Sequence, residues 1–327
     1  MPSRKKKALG RGMSHLVGDS LSSVVKPRGP ARAAPSRDKG RAQAPKAARE
    51  TQYHVVSIAS GKGGTGKSVL ASNLAVLLAE KGRVTILDAD LSLANIHILY
   101  NLMPEFDVSH LISGKKSLKD ILMQGPRGVN VIPGGSGVPE LATLSQGMFG
   151  SFADGIAFLH ETTDLLLVDA PSGLDRQALT FLLASDQVLV VTTEGITAMT
   201  DAYAVVKSVL TRRPNASVVI VVNQARSYAE GMETFQKIAH VARKFLGREL
   251  ALGGIIPFDE AVERSVAERV PVTISHPASP AARSIVSVAG RVSTFFERSR
   301  PPLTPFVARL KGLVEGGKAR AVRGQAR

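Results

Sequence analysis

The chain has 327 residues, 44% apolar but only 5% aromatic and without Trp, which favours an aliphatic α/β core over a β-sandwich, in one large domain with tails or in two small domains. It has no Cys, which excludes disulfide scaffolds, thiolate zinc sites and cysteine-held iron–sulfur clusters. The net charge of +15 is uneven: residues 1–50 hold 13 Lys/Arg against 3 Asp/Glu, residues 298–327 hold 8 against 1, and residues 51–297 hold 21 against 23.

Residues 1–50 are rich in Lys, Arg, Ala, Pro and Ser and lack apolar periodicity, so a largely disordered basic tail is expected. Such a tail either attracts polyanions or serves as a solubilising linker. No apolar signal segment follows the basic start, and no apolar run reaches the about 18 residues that span a bilayer. A cytoplasmic protein is expected.

From Tyr53 the pattern changes. Short apolar runs at Val55–Ala59, Val84–Leu87, Val129–Ile132, Leu165–Val168, Val188–Val191, Val218–Val222 and Leu252–Ile256 read as strands, several covered on both faces. Helical patterns such as Ser68–Lys81, Thr197–Thr211 and Gly231–Phe245 lie between them. The alternation predicts a doubly wound, mostly parallel sheet with helices on both faces over residues 51–297, with ligands beyond the carboxyl ends of the strands.

The strongest motif is Ser60-Gly61-Lys62-Gly63-Gly64-Thr65-Gly66-Lys67-Ser68, which fits G-x-x-x-x-G-K-[ST] between a strand and a helix. Glycines let consecutive N–H groups turn toward one anion, and the helix N-terminus adds its positive dipole end. The candidate nucleotide-binding residues are Gly61, Lys62, Gly63, Gly64, Thr65, Gly66, Lys67, Ser68 and Val69, with Lys67 on the β- and γ-phosphates and the Ser68 hydroxyl on Mg²⁺. One lysine can serve the loop's own nucleotide; Lys62, earlier in the loop, tends to point away from it, and considered alone it reads equally as an exposed loop lysine.

Two acidic motifs end strands: Asp88-Ala89-Asp90-Leu91-Ser92-Leu93-Ala94-Asn95 and Asp169-Ala170-Pro171-Ser172-Gly173. An Asp directly after a buried aliphatic strand is costly unless it meets a cation or donors. Asp88 and Asp169 are candidates for the outer shell of Mg²⁺; either alone also reads as a helix N-cap.

These residues resemble the deviant-Walker P-loop ATPases of the MinD/ParA family, within the SIMIBI type of P-loop NTPase. The resemblance implies ATP and Mg²⁺ as ligands and a homodimer closed around ATP, with Lys62 crossing to the partner's nucleotide. It makes Lys62, Lys67 and Asp90 the catalytic set, Asp90 placing the attacking water. It also implies ATP hydrolysis that is slow until a partner protein accelerates it. Asn223 matches the family's adenine-contacting Asn, and Ile256-Pro257-Phe258-Asp259 its second base-side loop, so Pro257 and Asp259 are further candidates; each stretch alone reads as a strand-end turn.

Within the family, Asp88–Asn95, Thr200-Asp201-Ala202-Tyr203-Ala204 and Ile256-Pro257-Phe258-Asp259-Glu260 look like the FlhG/FleN branch. That branch sets flagellar number and placement and engages the GTPase FlhF. Departures exist: Asp169-Ala170-Pro171 stands where Asp-Thr-x-Ala-Gly forms are common, Glu194-Gly195-Ile196-Thr197 lacks the usual Glu-Pro-Thr, and the Asp-Gln-Ala motif used on FlhF is absent. Lys5–Leu16 instead resembles the N-terminal peptide of ParB proteins that stimulates ParA ATPases.

At the C-terminus, Ser299–Pro305 breaks the pattern with three prolines. Phe306, Val307, Leu310, Leu313 and Val314 then share an arc of roughly 120° on a helix that Gly316 and Gly317 should end. Such a helix suits an anionic membrane interface, with Arg309 and Lys311 snorkelling beside it, or packs on its own domain. Two copies in an ATP-bound dimer would make peripheral binding at the inner face of the membrane nucleotide-dependent. The alternative surface is non-specific DNA, gripped by the basic tails.

Overall fold

The computed structural model describes residues 53–91, 94–135, 145–298 and 304–325, with side chains described as far as Glu315. The expected basic tail and the ParB-like peptide at Lys5–Leu16 lie outside the described residues. In chain order, β1 (His54–Ala59) leads into α1 (Lys67–Leu78) and β2 (Val84–Asp88). Short helices α2 (Ile96–Leu99), α3 (Val108–Ile112) and α4 (Leu118–Ile121) precede β3 (Met123–Gln124) and β4 (Asn130–Ile132). Then follow α5 (Gln146–Gly155), β5 (Leu165–Asp169), α6 (Arg176–Ala184), β6 (Gln187–Thr192), α7 (Ile196–Arg212), β7 (Ser217–Ala225), α8 (Tyr228–Leu246) and β8 (Ala251–Pro257). The chain finishes with α9 (Glu260–Glu268), α10 (Val272–Ser275), α11 (Pro280–Arg298) and α12 (Phe306–Gln325).

The strands form one sheet in the order β3-β4-β2-β5-β1-β6-β7-β8. Every described pairing is parallel except β3 with β4, a two-residue antiparallel edge too short to leave a sequence pattern. Strand side chains alternate between faces, which sorts the core into layers. Val56 and Ile58 of β1 and Leu167 of β5 pack with Leu70 and Leu74 of α1 and Ile285 and Val288 of α11. On the other face, Val55, Leu166 and Val168 pack with Phe152 of α5 and Phe181 of α6. β1, β2, β5 and β6 are covered on both sides, which is why they read as mostly apolar runs, interrupted between their ends only by Ser57 in β1 and Thr85 in β2.

α12 runs longer than expected and takes the second of its two alternatives, packing on its own domain. It does not end at Gly316–Gly317 but continues to Gln325. The residues expected to meet a membrane belong instead to the core: Phe306 is 2% exposed, Leu310 0% and Val314 8%, packed in the layer that holds Phe149, Phe152 and Phe181. Val307 is half-buried and Leu313 lies at the helix's outer edge. The same 3–4 spacing that suits a lipid surface suits a groove between α5 and α6, and burying each large side chain there contributes about 1.5–3 kcal/mol. The flanking cations do not snorkel. Arg309 pairs with Asp186 at 2.7 Å, and Lys311 pairs with Asp154.

Candidate nucleotide site

The site forms where β1 ends. Gly66 caps α1 with φ 81°, and no side chain caps that helix, so its first-turn N–H groups and dipole are left for an anion. Only glycine fits here: beyond its positive φ, an added Cβ would stand 2.3 Å from Nδ2 of Asn223. Gly61 is required for a different reason, since a Cβ there would lie 2.4 Å from the backbone of Asp201 in α7. Gly63 and Gly64 are exposed, whereas Ser68 and Val69 are half-buried in the first turn of α1. Thr65 is buried, and its Oγ1 has no hydrogen-bond partner among the described residues.

Lys67, 7% exposed, donates to Oδ1 of Asp169 at 2.6 Å. Its ammonium also lies 3.4 Å from Oγ of Ser68. β2 and β5 run parallel with Asp88 in register with Asp169, which brings two carboxylates side by side at the strand ends. Oδ2 of Asp88 accepts from the N–H groups of Asn95 (2.7 Å) and Ile96 (2.9 Å). Its Oδ1 is buried with no hydrogen-bond partner among the described residues. Burial first, and the charge of Asp169 second, push the Asp88 carboxyl up to about 7, against the pull of those two N–H groups and Lys67. Among the described residues, Lys67 is the one ammonium drawn against the Asp88 and Asp169 carboxyls, which leaves the site short of positive charge.

The donors fit Mg²⁺. Ser68, Asp88 and Asp169 offer only oxygen, and no group of three or more His, Cys, Asp or Glu among the described residues forms an all-protein metal cage. Mg²⁺ usually binds this way, through few protein oxygens with the rest from phosphate and water. Asp90 lies half-buried two residues beyond β2. Lys62 donates from Nζ to Oγ1 of Thr197, at the head of α7, at 3.0 Å.

The base side is a cavity of about 310 Å³ between the phosphate loop, the end of β7 and the β8–α9 turn. The candidates Asn223 and Pro257 line it, and Nδ2 of Asn223 also donates to the carbonyl of Thr65 at 2.8 Å. Asp259 lines it too, but its carboxylate is committed elsewhere. Oδ1 accepts from Ala261 N (2.9 Å) and Oδ2 from Ala281 N (3.0 Å), so it holds the starts of α9 and α11 rather than a base. Burial would raise this carboxyl, yet the N–H groups of Ala281 and Ala261 keep it below the usual range. Of two further lining residues, Phe258 stands inside the Ile256-Pro257-Phe258-Asp259 stretch and Gln224 has no motif to mark it. Phe258 is 56% exposed and gives the cavity an aromatic wall, and Gln224 adds a second amide beside Asn223.

Glycine-rich loop, buried lysine, paired strand-end carboxylates and a base cavity together define a P-loop nucleotide-binding site on a parallel sheet. The sequence profile described as "ParA: NUBPL iron-transfer P-loop NTPase" matches residues 51–293. The antiactivator FleN of Pseudomonas aeruginosa is 34% identical over 242 residues, 74% of this chain and 86% of FleN. The flagellum site-determining protein YlxH of Helicobacter pylori is 32% identical over 238 residues, 72% of this chain and 80% of YlxH. Among solved structures, the septum site-determining protein MinD of Pyrococcus horikoshii, complexed with Mg-ADP, superimposes with a TM-score of 0.62 at 23% identity, over 74% of this chain and 97% of that one. The chain belongs to the ParA/MinD family of P-loop NTPases. Iron transfer in the profile's description has no counterpart in thiolate chemistry here, because the sequence contains no Cys.

Proposed function

We propose that this chain is an ATP-hydrolysing switch that positions a cellular structure. ATP closes two copies face to face, and flagellar placement is the favoured task. The observation that carries the reading is the pair of lysines on one loop. Lys67 waits on Asp169 at the phosphate end, while the Lys62 ammonium is engaged by Thr197. In this reading Lys67 leaves Asp169 for the β- and γ-phosphates, Ser68 would hold Mg²⁺ with Asp88 and Asp169 in its outer shell, and Asp90 orients the attacking water. Bound Mg²⁺ supplies charge neutralisation on the phosphates. Lys62 leaves Thr197 to reach the partner copy's nucleotide. Positioning and charge neutralisation carry most of phosphoryl transfer, so basal turnover is slow until a partner protein, FlhF-like or ParB-like, completes the site.

The placement reading is supported by YlxH, named a flagellum site-determining protein, and by the likeness to FleN, of the branch that the motifs resemble. We assign the ATPase to residues 51–297, with 1–50 and 298–327 as regulatory tails. Membrane contact requires α12 to leave its groove, because in the docked form its apolar face is spent in the core. The decisive experiment is light scattering with Mg²⁺ and a non-cleavable ATP analogue. Wild type should double in mass and Lys62→Ala should remain single while still binding the analogue. A wild-type protein that binds the analogue and stays single sinks the switch. Sedimentation of wild type with acidic liposomes only when nucleotide is present supports the membrane surface; salt-sensitive shift of non-specific DNA without liposome binding supports DNA instead.

A further inference from the structure

The end of β7 contains an irregularity that the nucleotide reading leaves unexplained. Consecutive strand residues point to opposite faces, so Asn223 and Gln224 should diverge. They do not. The β7–β8 register shifts between Val222 and Ala225, and Gln224 stands at φ 55°. Both amides reach the same loop: Nδ2 of Asn223 donates to Thr65 O at 2.8 Å and Nε2 of Gln224 to Gly64 O at 3.4 Å. Both residues also line the base cavity. Bulges next to active sites commonly re-aim a side chain, and a non-glycine held at positive φ persists only where its surroundings over-determine it.

We infer that Gln224 is a positioning residue for the phosphate loop. With Asn223 it draws the consecutive carbonyls of Gly64 and Thr65 outward, which leaves the N–H groups of the same loop turned inward for phosphate. The inference rests on the ATP-binding reading above and adds a physical link between base cavity and phosphate loop. A phosphate loop has to hold several N–H dipoles parallel against their mutual repulsion, and its carbonyls then need donors on the outer side. Asn223 alone supplies one. Gln224 supplies the next, on the Gly64 side, nearer Lys62. The strained backbone at Gln224 is what lets neighbouring residues brace neighbouring carbonyls.

The test compares Gln224→Gly and Gln224→Glu with wild type in the full chain, using a fluorescent ATP analogue with Mg²⁺ and, separately, adenosine. Glycine adopts φ 55° freely, so Gln224→Gly should melt no lower than wild type, yet bind the triphosphate about three- to tenfold more weakly, the loss of one modest hydrogen bond. Gln224→Glu keeps the shape but sets a carboxylate against a carbonyl, and should lose at least as much. Adenosine, having no phosphate, should bind all three proteins alike. Triphosphate affinity within about twofold of wild type in both variants overturns the inference while leaving the ATP reading intact. So does a parallel loss of adenosine affinity, which would make Gln224 a base contact. Failure of wild type to bind the analogue removes both readings together.

Discussion

Two nearly buried Asp–cation pairs sit at opposite ends of the sheet, and they are built for different purposes. Arg309–Asp186 lies near the amino ends of β1 and β6, with side chains 16% and 6% exposed. There Oδ1 of Asp186 takes Arg309 and Oδ2 accepts from Val55 N at 2.8 Å, so both carboxylate oxygens are used. Lys67–Asp169 lies at the carboxyl ends, 7% and 2% exposed, with Asp88 alongside holding a buried oxygen that has no hydrogen-bond partner among the described residues. The first pair has both carboxylate oxygens taken and clamps α12 to the sheet, although Nε of Arg309 is buried with no hydrogen-bond partner among the described residues. The second is short of positive charge and gains from a ligand that brings Mg²⁺. A buried ion pair by itself says little about stability or function; what separates the clamp from the poised site is whether a carboxylate oxygen is left without a donor.

Replacing the cation tests this difference most directly. Lys67→Ala should lower ATP turnover by about 10³-fold while the protein stays folded, measured by phosphate release. Arg309→Ala should do the reverse. Leaving Asp186 buried and unpaired should cost about 3 kcal/mol of stability by urea denaturation, with turnover per folded molecule unchanged. If Arg309→Ala instead stopped turnover without lowering stability, the clamp would belong to the chemistry and the contrast would collapse.

The charge shortage can be read through protons. Asp88 titrates near 7 in the folded protein against 3.8 ordinarily. Its contribution to the nucleotide-free fold is therefore fully present below about pH 4 and is lost as pH rises through about 7. Denaturation midpoints at pH 5 and pH 8 should show the loss, and Asp88→Asn should flatten it. Nucleotide binding with Mg²⁺ at pH 6 should release a proton, visible as a buffer-dependent heat. The smallest effect is at the base wall: Phe258→Ala should raise KM for ATP about three- to tenfold with kcat little changed, because the ring offers contact area and no charge.

Different parts of the molecule were legible for different reasons. The loop Ser60–Ser68 announced itself because its chemistry is local: glycine positions, one lysine and one hydroxyl lie within nine consecutive residues. The buried strands were legible because burial on both faces leaves a mostly apolar run. Asp88 and Asp169 were found from their place after such runs, but their adjacency is a product of β2–β5 register, which no spacing in the chain encodes. Gln224 carried no signal at all, since a positive φ at a non-glycine follows from a mismatch between two strands.

The sequence by itself determined the parallel α/β architecture, the phosphate loop and the existence of an amphipathic helix after Pro305, because periodicity and short motifs are properties of neighbouring residues. Only the tertiary structure decided what that helix's apolar face meets, which carboxylate Lys67 rests on and where the Asp259 oxygens are spent. An apolar stripe is indifferent to whether lipid or Phe149, Phe152 and Phe181 cover it. Burial, pairing and proton affinity arise from residues more than a hundred positions apart, such as Lys67 with Asp169 and Arg309 with Asp186, and those distances are settled only when the sheet closes.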